Sequence, residues 1–386
     1  MDIESQVQAI DHAALSDPVR RATRDPSFEV IDWSYRSIYA PIMATTGGVY
    51  RFSGSGRTHG ELTSWSVVLK VVRSLASAGL NDQVDDETAA VYWQRDSLLY
   101  QSGLLDDLPG GLAAPRCLQV TKPSPGVIWM WLEDIVDELP RWPPERYALA
   151  ARHLGAFNGI YLVGRPLPDQ RWLNRGVLRW RTDQATRSFA ALPGLREHPA
   201  VRATWPDDLI DQVLRLWGER ERFFAAVDRL PQTLCHLDAG RLNLFARRSP
   251  ARGEETVAID WGYAGIGAVG QEVASLVVGS PLRFQDIEPA QLPEIADRCF
   301  AGYLTGLGDA GWRGDPEAVR LGYLVDMAMR YGLFLALEVV ATDPAGRARI
   351  ERTFGRPAEQ VCARVADVRR FVLDQVEEAR EIIGAE

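Results

Sequence analysis

With 386 residues, 46% of them hydrophobic, the chain is long enough to bury one large core, or two that share an interface, without disulfide or metal staples. Its formal charge of −9 argues against a general nucleic-acid binder, which needs clustered Lys and Arg to displace counterions from phosphates. No apolar run reaches the roughly 20 residues that cross a bilayer, the opening MDIESQVQAIDHAAL carries acids where a signal peptide has bases, and Cys117, Cys235, Cys299 and Cys362 form no C-x-x-C pair, so a chain of the reducing cytoplasm with no membrane partner is expected.

In chain order, residues 1–35 read as helical. From about residue 40 to 135 the pattern is mostly strand: IYAPIMA, GGVYRFSG and SWSVVLKVV are β-branched and aromatic runs separated by Gly and Ser. Gly54-Ser55-Gly56 is expected to turn the chain between the second run and the third. Lysine occurs only at positions 70 and 122, and alternation in SWSVVLKVV points Lys70 to the face opposite Leu69 and Val71. One helix interrupts the strands in DDETAAVYWQRDSLLYQSGLL, where Val91, Arg95, Leu98 and Leu99 fall near helical spacing and Gly103 supplies a stop. The strands resume with APRCLQVT and GVIWMWLED, joined by KPSPG; Trp129 and Trp131 share a face of the latter.

Beyond Pro140 the signals turn helical. PPERYALAARHLGAFNGIYL starts with proline and repeats apolar residues at helical intervals, and further helices are expected at 207–229, 271–279, 290–305, 316–340 and 356–383. Between them lies a strand-like island, TLCHLDAGRLNLFARR followed by TVAIDWGY. Mostly β and then mostly α predicts an α+β chain of two lobes, residues 1–135 and 136–386.

Chemistry concentrates in the island. His236-Leu237-Asp238 is followed by Asn243 and then by Asp260-Trp261-Gly262. Asn243 and Asp260 offer hard oxygens of the kind Mg²⁺ accepts while keeping waters and phosphate oxygens, and Asp238 is left to take a proton from a hydroxyl. Phosphoryl transfer needs this division of labour. The run H-L-D-x-x-x-x-N-L-F, followed by A-I-D-W and Gly262-Tyr263-Ala264-Gly265-Ile266-Gly267, resembles the catalytic and metal loops of the aminoglycoside phosphotransferase and choline kinase-like family, distant relatives of protein kinases.

That resemblance implies a protein kinase-like two-lobed fold, with a small antiparallel sheet and one helix in the first lobe and a larger helical second lobe. It also implies ATP and Mg²⁺ as cofactors. Asp238 would be the base, His236 its brace, Asn243 and Asp260 the metal ligands, and Arg241 a contact to the transferring phosphate. Lys70 would hold the α- and β-phosphates and pair with an acid on the next helix, either Asp96, where the family has glutamate, or Glu87. Thr46, Gly47 and Gly48 would cover the phosphates, and Glu272 would buttress the catalytic loop. Adenine would rest on the Leu132 carbonyl and the Asp134 amide, with Trp131 behind the ring; a purine read by backbone leaves GTP open as donor.

The acceptor would be a small molecule with a hydroxyl, such as an aminoglycoside-like antibiotic or an amino sugar, since an acidic chain favours cations. Its pocket would be lined by Trp172, Trp180 and the arginines around them, residues that equally suit a helix–helix interface, or by Glu338 holding an amine. A protein substrate is disfavoured, because no Ala-Pro-Glu and no long activation segment follow Asp260. The rival reading is a catalytically silent nucleotide-binding pseudokinase. The sequence leaves the oligomeric state open.

Overall fold

The computed structural model describes residues 3–39, 43–78, 86–205, 207–333 and 336–385. Two short helices, α1 (Ile3–Gln8) and α2 (His12–Thr23), precede a five-stranded antiparallel sheet. Its strands are β1 (Glu29–Tyr39), β2 (Thr46–Thr58), β3 (Glu61–Arg73), β5 (Cys117–Ser124) and β6 (Val127–Glu133), in the order β1-β2-β3-β6-β5; α3 (Arg95–Ser102) and the two-residue strand β4 (Leu112–Ala113) fall between β3 and β5. The sheet therefore begins earlier than the sequence suggests, inside the stretch that reads as helical. Residues 40–42 of the expected strand IYAPIMA lie outside the described residues.

The turn between β2 and β3 also differs from the expectation. Thr58 pairs with Glu61, and the two residues between them, His59 and Gly60, both have positive φ, at 48° and 86°. That is the backbone a two-residue hairpin needs to match strand twist. Gly54 and Gly56 lie inside β2 instead, where a Cβ would overlap the Asp32 carbonyl oxygen and the Phe28 ring. These glycines answer a close approach rather than a turn.

Period-2 alternation in β3 sorts its side chains. Trp65, Val67, Leu69 and Val71 join Leu15 and Val19 of α2, Phe52 and Trp131 in a core on the outer face. Val72, Ile128, Met130 and Leu132 face the other way and join the large core of the second lobe, as does Leu99 of α3. Lys70 pairs across with Met130 and shares its face. The ammonium thus emerges on the inner side of the sheet, as the sequence predicts.

The second lobe is helical around two small sheets. Its helices are α4 (Pro144–Leu162), α5 (Val177–Gln184), α6 (Thr186–Ala191), α7 (Pro199–Arg202), α8 (Asp207–Asp228), α9 (Gln271–Leu282), α10 (Leu292–Asp309), α11 (Pro316–Asp326), α12 (Ala336–Val340), α13 (Pro344–Phe354) and α14 (Ala358–Ala385). Among them run β7 (Gln232–Cys235), β8 (Leu244–Ser249), β9 (Gly253–Ala258) and β10 (Gly265–Ala268), with β7 paired to β10 and the order β4-β9-β8 in the other sheet. The expected helix 316–340 is α11 and then a π-helical turn at Met327–Gly332, with α12 beyond residues 334–335, which lie outside the described residues. No helix of the described residues is long and apolar enough to cross a membrane.

Candidate active site

Strand register assembles the site. The β8–β9 hairpin sets Leu244 opposite Ala258, and the Ile259 amide donates to the Asn243 carbonyl at 2.9 Å. Asn243 and Asp260, seventeen positions apart, therefore leave the two arms of one hairpin side by side. β7 delivers His236, Leu237 and Asp238 to the same end, since β10, the strand after Asp260, pairs back onto β7.

Two non-glycine residues here adopt left-handed backbone, Leu237 at φ 60° and Asp260 at φ 59°. Such conformations cost of order 1 kcal/mol or more and persist only where neighbours enforce them. Glu272 of α9 enforces the first, accepting from the Leu237 amide at 3.1 Å. His236, fully buried, contributes through both ring nitrogens: Nε2 donates to the Ile259 carbonyl at 2.9 Å and Nδ1 accepts from the Asp238 amide at 3.2 Å. One hydrogen on Nε2 satisfies both contacts, which fixes the neutral tautomer. The ring also rests on Trp261, centroids 4.5 Å apart.

Lys70 reaches this hairpin from the sheet. Its Nζ lies 2.6 Å from Asp96 Oδ2 and 2.7 Å from Asp260 Oδ1, with only 11% of the side chain exposed. Burial alone would lower its pKa, but the carboxylates of Asp260 and Asp96 outweigh it and hold the ammonium charged well above the usual lysine value. The alternative between Asp96 and Glu87 is resolved by contact: Asp96 makes a direct pair, while Glu87 sits 3.2 Å from Arg171. Asp96 Oδ1 also accepts from the Trp261 amide at 3.2 Å, so the shorter acid ties α3 to the metal-loop candidate as well. Its neighbour Arg95, buried, donates to the carbonyls of Ala89, Ala90, Trp172 and Gly262.

Asn243 donates through Nδ2 to the Asp238 carbonyl oxygen at 2.9 Å and to its Oδ2 at 3.0 Å. Asp238 Oδ1 is shared by two guanidinium groups that the sequence does not connect with it: Arg181 of α5 at 3.0 Å, and Arg330 of the π-helical turn. Burial works to raise the Asp238 pKa, and Arg181 and Arg330 overcome it, so the carboxyl titrates below its ordinary range. Arg181 lies in the segment suspected of lining the acceptor pocket, whereas no local signal marks Arg330, because nothing in a sequence announces a π-turn. Such turns occur mostly as single-turn interruptions of α-helices, frequently at functional sites.

Two expected site residues are corrected. Trp131 is buried on the outer face of the sheet, its ring 5.2 Å from that of Phe52, and cannot back a purine on the face of Lys70, Met130 and Leu132. Arg241 spends its guanidinium on Asp137 at 2.6 Å, on Asp286 at 2.9 Å and on the Leu244 and Leu139 carbonyls, and stacks on Trp142. It clamps the segment entering the second lobe and does not face a transferring phosphate. Thr46, Gly47 and Gly48 open β2, with a bulge where Thr46 pairs with Val72 and Gly48 with Val71, one residue from the level of Lys70. The Asp134 carboxylate takes Arg51, which leaves its amide unaffected. Trp180 lines a cavity that also borders Asp238, Asn243 and Asp260; Trp172 packs against the large core, and the side chain of Glu338 lies outside what the structure describes.

Behind the loop, Asp326 of α11 is buried and its carboxyl is pushed up to about 6, burial outweighing the attraction of Arg330 and Arg181, with Glu272 adding repulsion. A raised carboxyl pKa means the folded state keeps a proton that the unfolded chain has released, so its contribution turns unfavourable as pH rises from about 4 to 6 and stays so above. Asp326→Asn, which retains an acceptor for Gln271, should gain ~2 kcal/mol in urea unfolding at pH 7 and nothing at pH 4. An equal gain at both pH values would assign the effect to packing.

Over residues 108–320 the sequence matches the model of the phosphotransferase enzyme family, a span that holds His236, Asp238, Asn243 and Asp260 but not Lys70. No curated sequence is similar enough to count as a match. Among solved structures, the choline kinase of Cryptosporidium parvum Iowa II aligns with 12% identity and a TM-score of 0.50 over 90% of each chain. That similarity shows the kinase-like fold. An amicoumacin kinase, solved with AMP-PNP and Ca²⁺, aligns over 97% of this chain and 96% of its own (13% identity, TM-score 0.49), and an aminoglycoside phosphotransferase of Alicyclobacillus acidocaldarius over 91% and 93% (15%, TM-score 0.48).

Proposed function

Because the chain belongs to the phosphotransferase enzyme family, we propose that it is an ATP- and Mg²⁺-dependent O-phosphotransferase that moves the γ-phosphoryl group to a hydroxyl of a small molecule. The observation that carries this reading is one connected network. Asp96 holds Lys70, Lys70 holds Asp260, and the hairpin that presents Asp260 also presents Asn243, which holds Asp238.

The donor set suits magnesium. Asn243 and Asp260 line the same cavity, Asp260 is half exposed, and among the described residues no group of three or more His, Cys, Asp or Glu side chains forms a cage. Two hard oxygen donors with room for water and phosphate oxygens match what Mg²⁺ takes from proteins of this chemistry, and the bound ion would neutralise phosphate charge. Lys70 would hold the α- and β-phosphates, with Thr46, Gly47 and Gly48 above them and the Leu132 carbonyl and Asp134 amide on the purine. Asp238 orients the acceptor hydroxyl and takes its proton as the new O–P bond forms and the bond to the leaving nucleoside diphosphate breaks. His236 and Glu272 keep the loop in the strained conformation that this requires.

Two measurements test the reading. Mg·ATP, or Mg·GTP if the purine is read by backbone alone, should raise the melting temperature by mass action on the folded state. A nucleoside-diphosphate-release assay over hydroxyl-bearing metabolites should then find an acceptor. No thermal shift with millimolar nucleotide and no release would refute it.

A further inference from the structure

The cavity beside Asp238 has a chemistry of its own, and the class of acceptor it selects rests on the phosphotransferase reading. It measures about 490 Å³ and is walled by Trp180, Tyr263, Met329, Leu333, Phe354 and Val365, among others. Its described acids are Asp238 and Asp260 alone, the two that the reaction uses, whereas its described bases are Arg181, Arg241, Arg283 and Arg330. Arg241 is neutralised by Asp137 and Asp286. Asp260 is matched by Lys70. Asp238 is then the acid that faces Arg181 and Arg330 from the cavity, Asp326 attracts both from behind the loop, and Arg283 is exposed near the Phe354 ring, 5.8 Å away.

The arginines are built in rather than adventitious. Arg330 is 8% exposed and anchored by a 3.0 Å bond to the Leu237 carbonyl, yet its Nε is buried with no partner among the described residues. The Nε of Arg181 is likewise buried and unpartnered among them, and its guanidinium lies 4.5 Å over the Tyr263 ring. A buried donor without an acceptor calls for an explanation, which a ligand oxygen would supply at a cavity wall, and a guanidinium is the side chain best shaped to grip a carboxylate or phosphate.

We infer that the acceptor is an anion: a hydroxyl-bearing small molecule with a carboxylate or phosphate-ester group, gripped by Arg181 and Arg330, and an apolar or ring body against Trp180 and Tyr263. Its anionic group draws the guanidiniums off Asp238, freeing that carboxylate to face the hydroxyl. A polycationic acceptor meets the opposite arrangement, a wall that presents arginines and no described acid except the two already engaged. The overall acidity of the chain, which suggests cationic acceptors, does not extend to this pocket.

The test uses the 386-residue chain with Mg·ATP and a paired panel. Hydroxycarboxylates are set against their amides, sugar phosphates against the unphosphorylated sugars, and aminoglycosides serve as polycations. The expected result is at least a tenfold higher kcat/KM for one anionic class than for its neutral partners, the pairs telling carboxylate from phosphate. Arg181→Gln should raise the KM of that anion at least tenfold, the loss falling on the acceptor rather than on Mg·ATP, and Arg181→Lys should restore part of it. No anion outperforming its neutral counterpart, an aminoglycoside as the best acceptor, or an Arg181→Gln enzyme with unchanged acceptor KM would each overturn the inference. Turnover of a cation would leave the phosphotransferase reading standing, whereas failure to bind Mg·ATP or release ADP with any acceptor would remove both.

Discussion

Replacing Asp238 with asparagine should lower phosphoryl transfer by about 10²–10⁴-fold while the protein stays folded and binds nucleotide. Asparagine keeps the size of the side chain and, with its oxygen turned to Arg181 and Arg330, the acceptor that holds those two guanidiniums; Asn243 loses its carboxylate partner and keeps its bond to the backbone carbonyl of residue 238. The substitution removes the negative charge and with it the ability to take a proton. The structure gives this variant a distinctive signature. With two guanidiniums no longer neutralised, the pocket becomes more positive, so affinity for inorganic anions should rise as turnover falls. A variant with full activity would take Asp238 out of the mechanism.

Lys70→Met should have the largest effect on stability as well as on activity. The Lys70 ammonium lies between Asp96, 4% exposed, and Asp260, half exposed. Removing one partner of a buried ion pair costs about 3–5 kcal/mol, because the other charge stays behind uncompensated. The Asp96 half should supply nearly all of this cost, since solvent screens Asp260. Urea unfolding of Lys70→Met, Asp96→Asn and the double variant forms a cycle. The double variant is expected to be more stable than Lys70→Met alone, as the stranded carboxylate is gone, yet equally unable to bind Mg·ATP tightly. Additive losses would mean that the two groups do not interact.

The parts of this site that are legible in the sequence are those fixed by short-range rules. Lys70 can be assigned to the inner face because period 2 leaves a strand residue only two choices. Asp238, Asn243 and Asp260 can be grouped because one loop and one hairpin hold them, so their spacing carries their geometry. The misreadings come from elsewhere. Trp131 obeys the same alternation as Lys70, but relating its face to that of Lys70 requires the β3–β6 register, in which Trp131 pairs with Leu69 and not with Lys70. Arg241 resembles a phosphate ligand beside Asp238, and only the fold brings Asp137 and Asp286 to claim it. Arg330 lies 92 positions from Asp238 on a turn of π-helix, a contact that tertiary packing alone creates. The helical reading of residues 1–35 holds for α1 and α2 and fails at β1, where EVIDWSYRSIY mixes charged and polar residues into a largely exposed edge strand and so weakens its β signal.

The most direct test is a crystal structure with a non-hydrolysable ATP analogue and Mn²⁺ in place of Mg²⁺, the ion located by its anomalous scattering. The expected peak lies within about 2 Å of both the Asn243 side-chain oxygen and the Asp260 carboxylate, with the Lys70 ammonium on the α- and β-phosphates. A manganese peak away from these two side chains, or a triphosphate bound out of reach of Lys70, would contradict it.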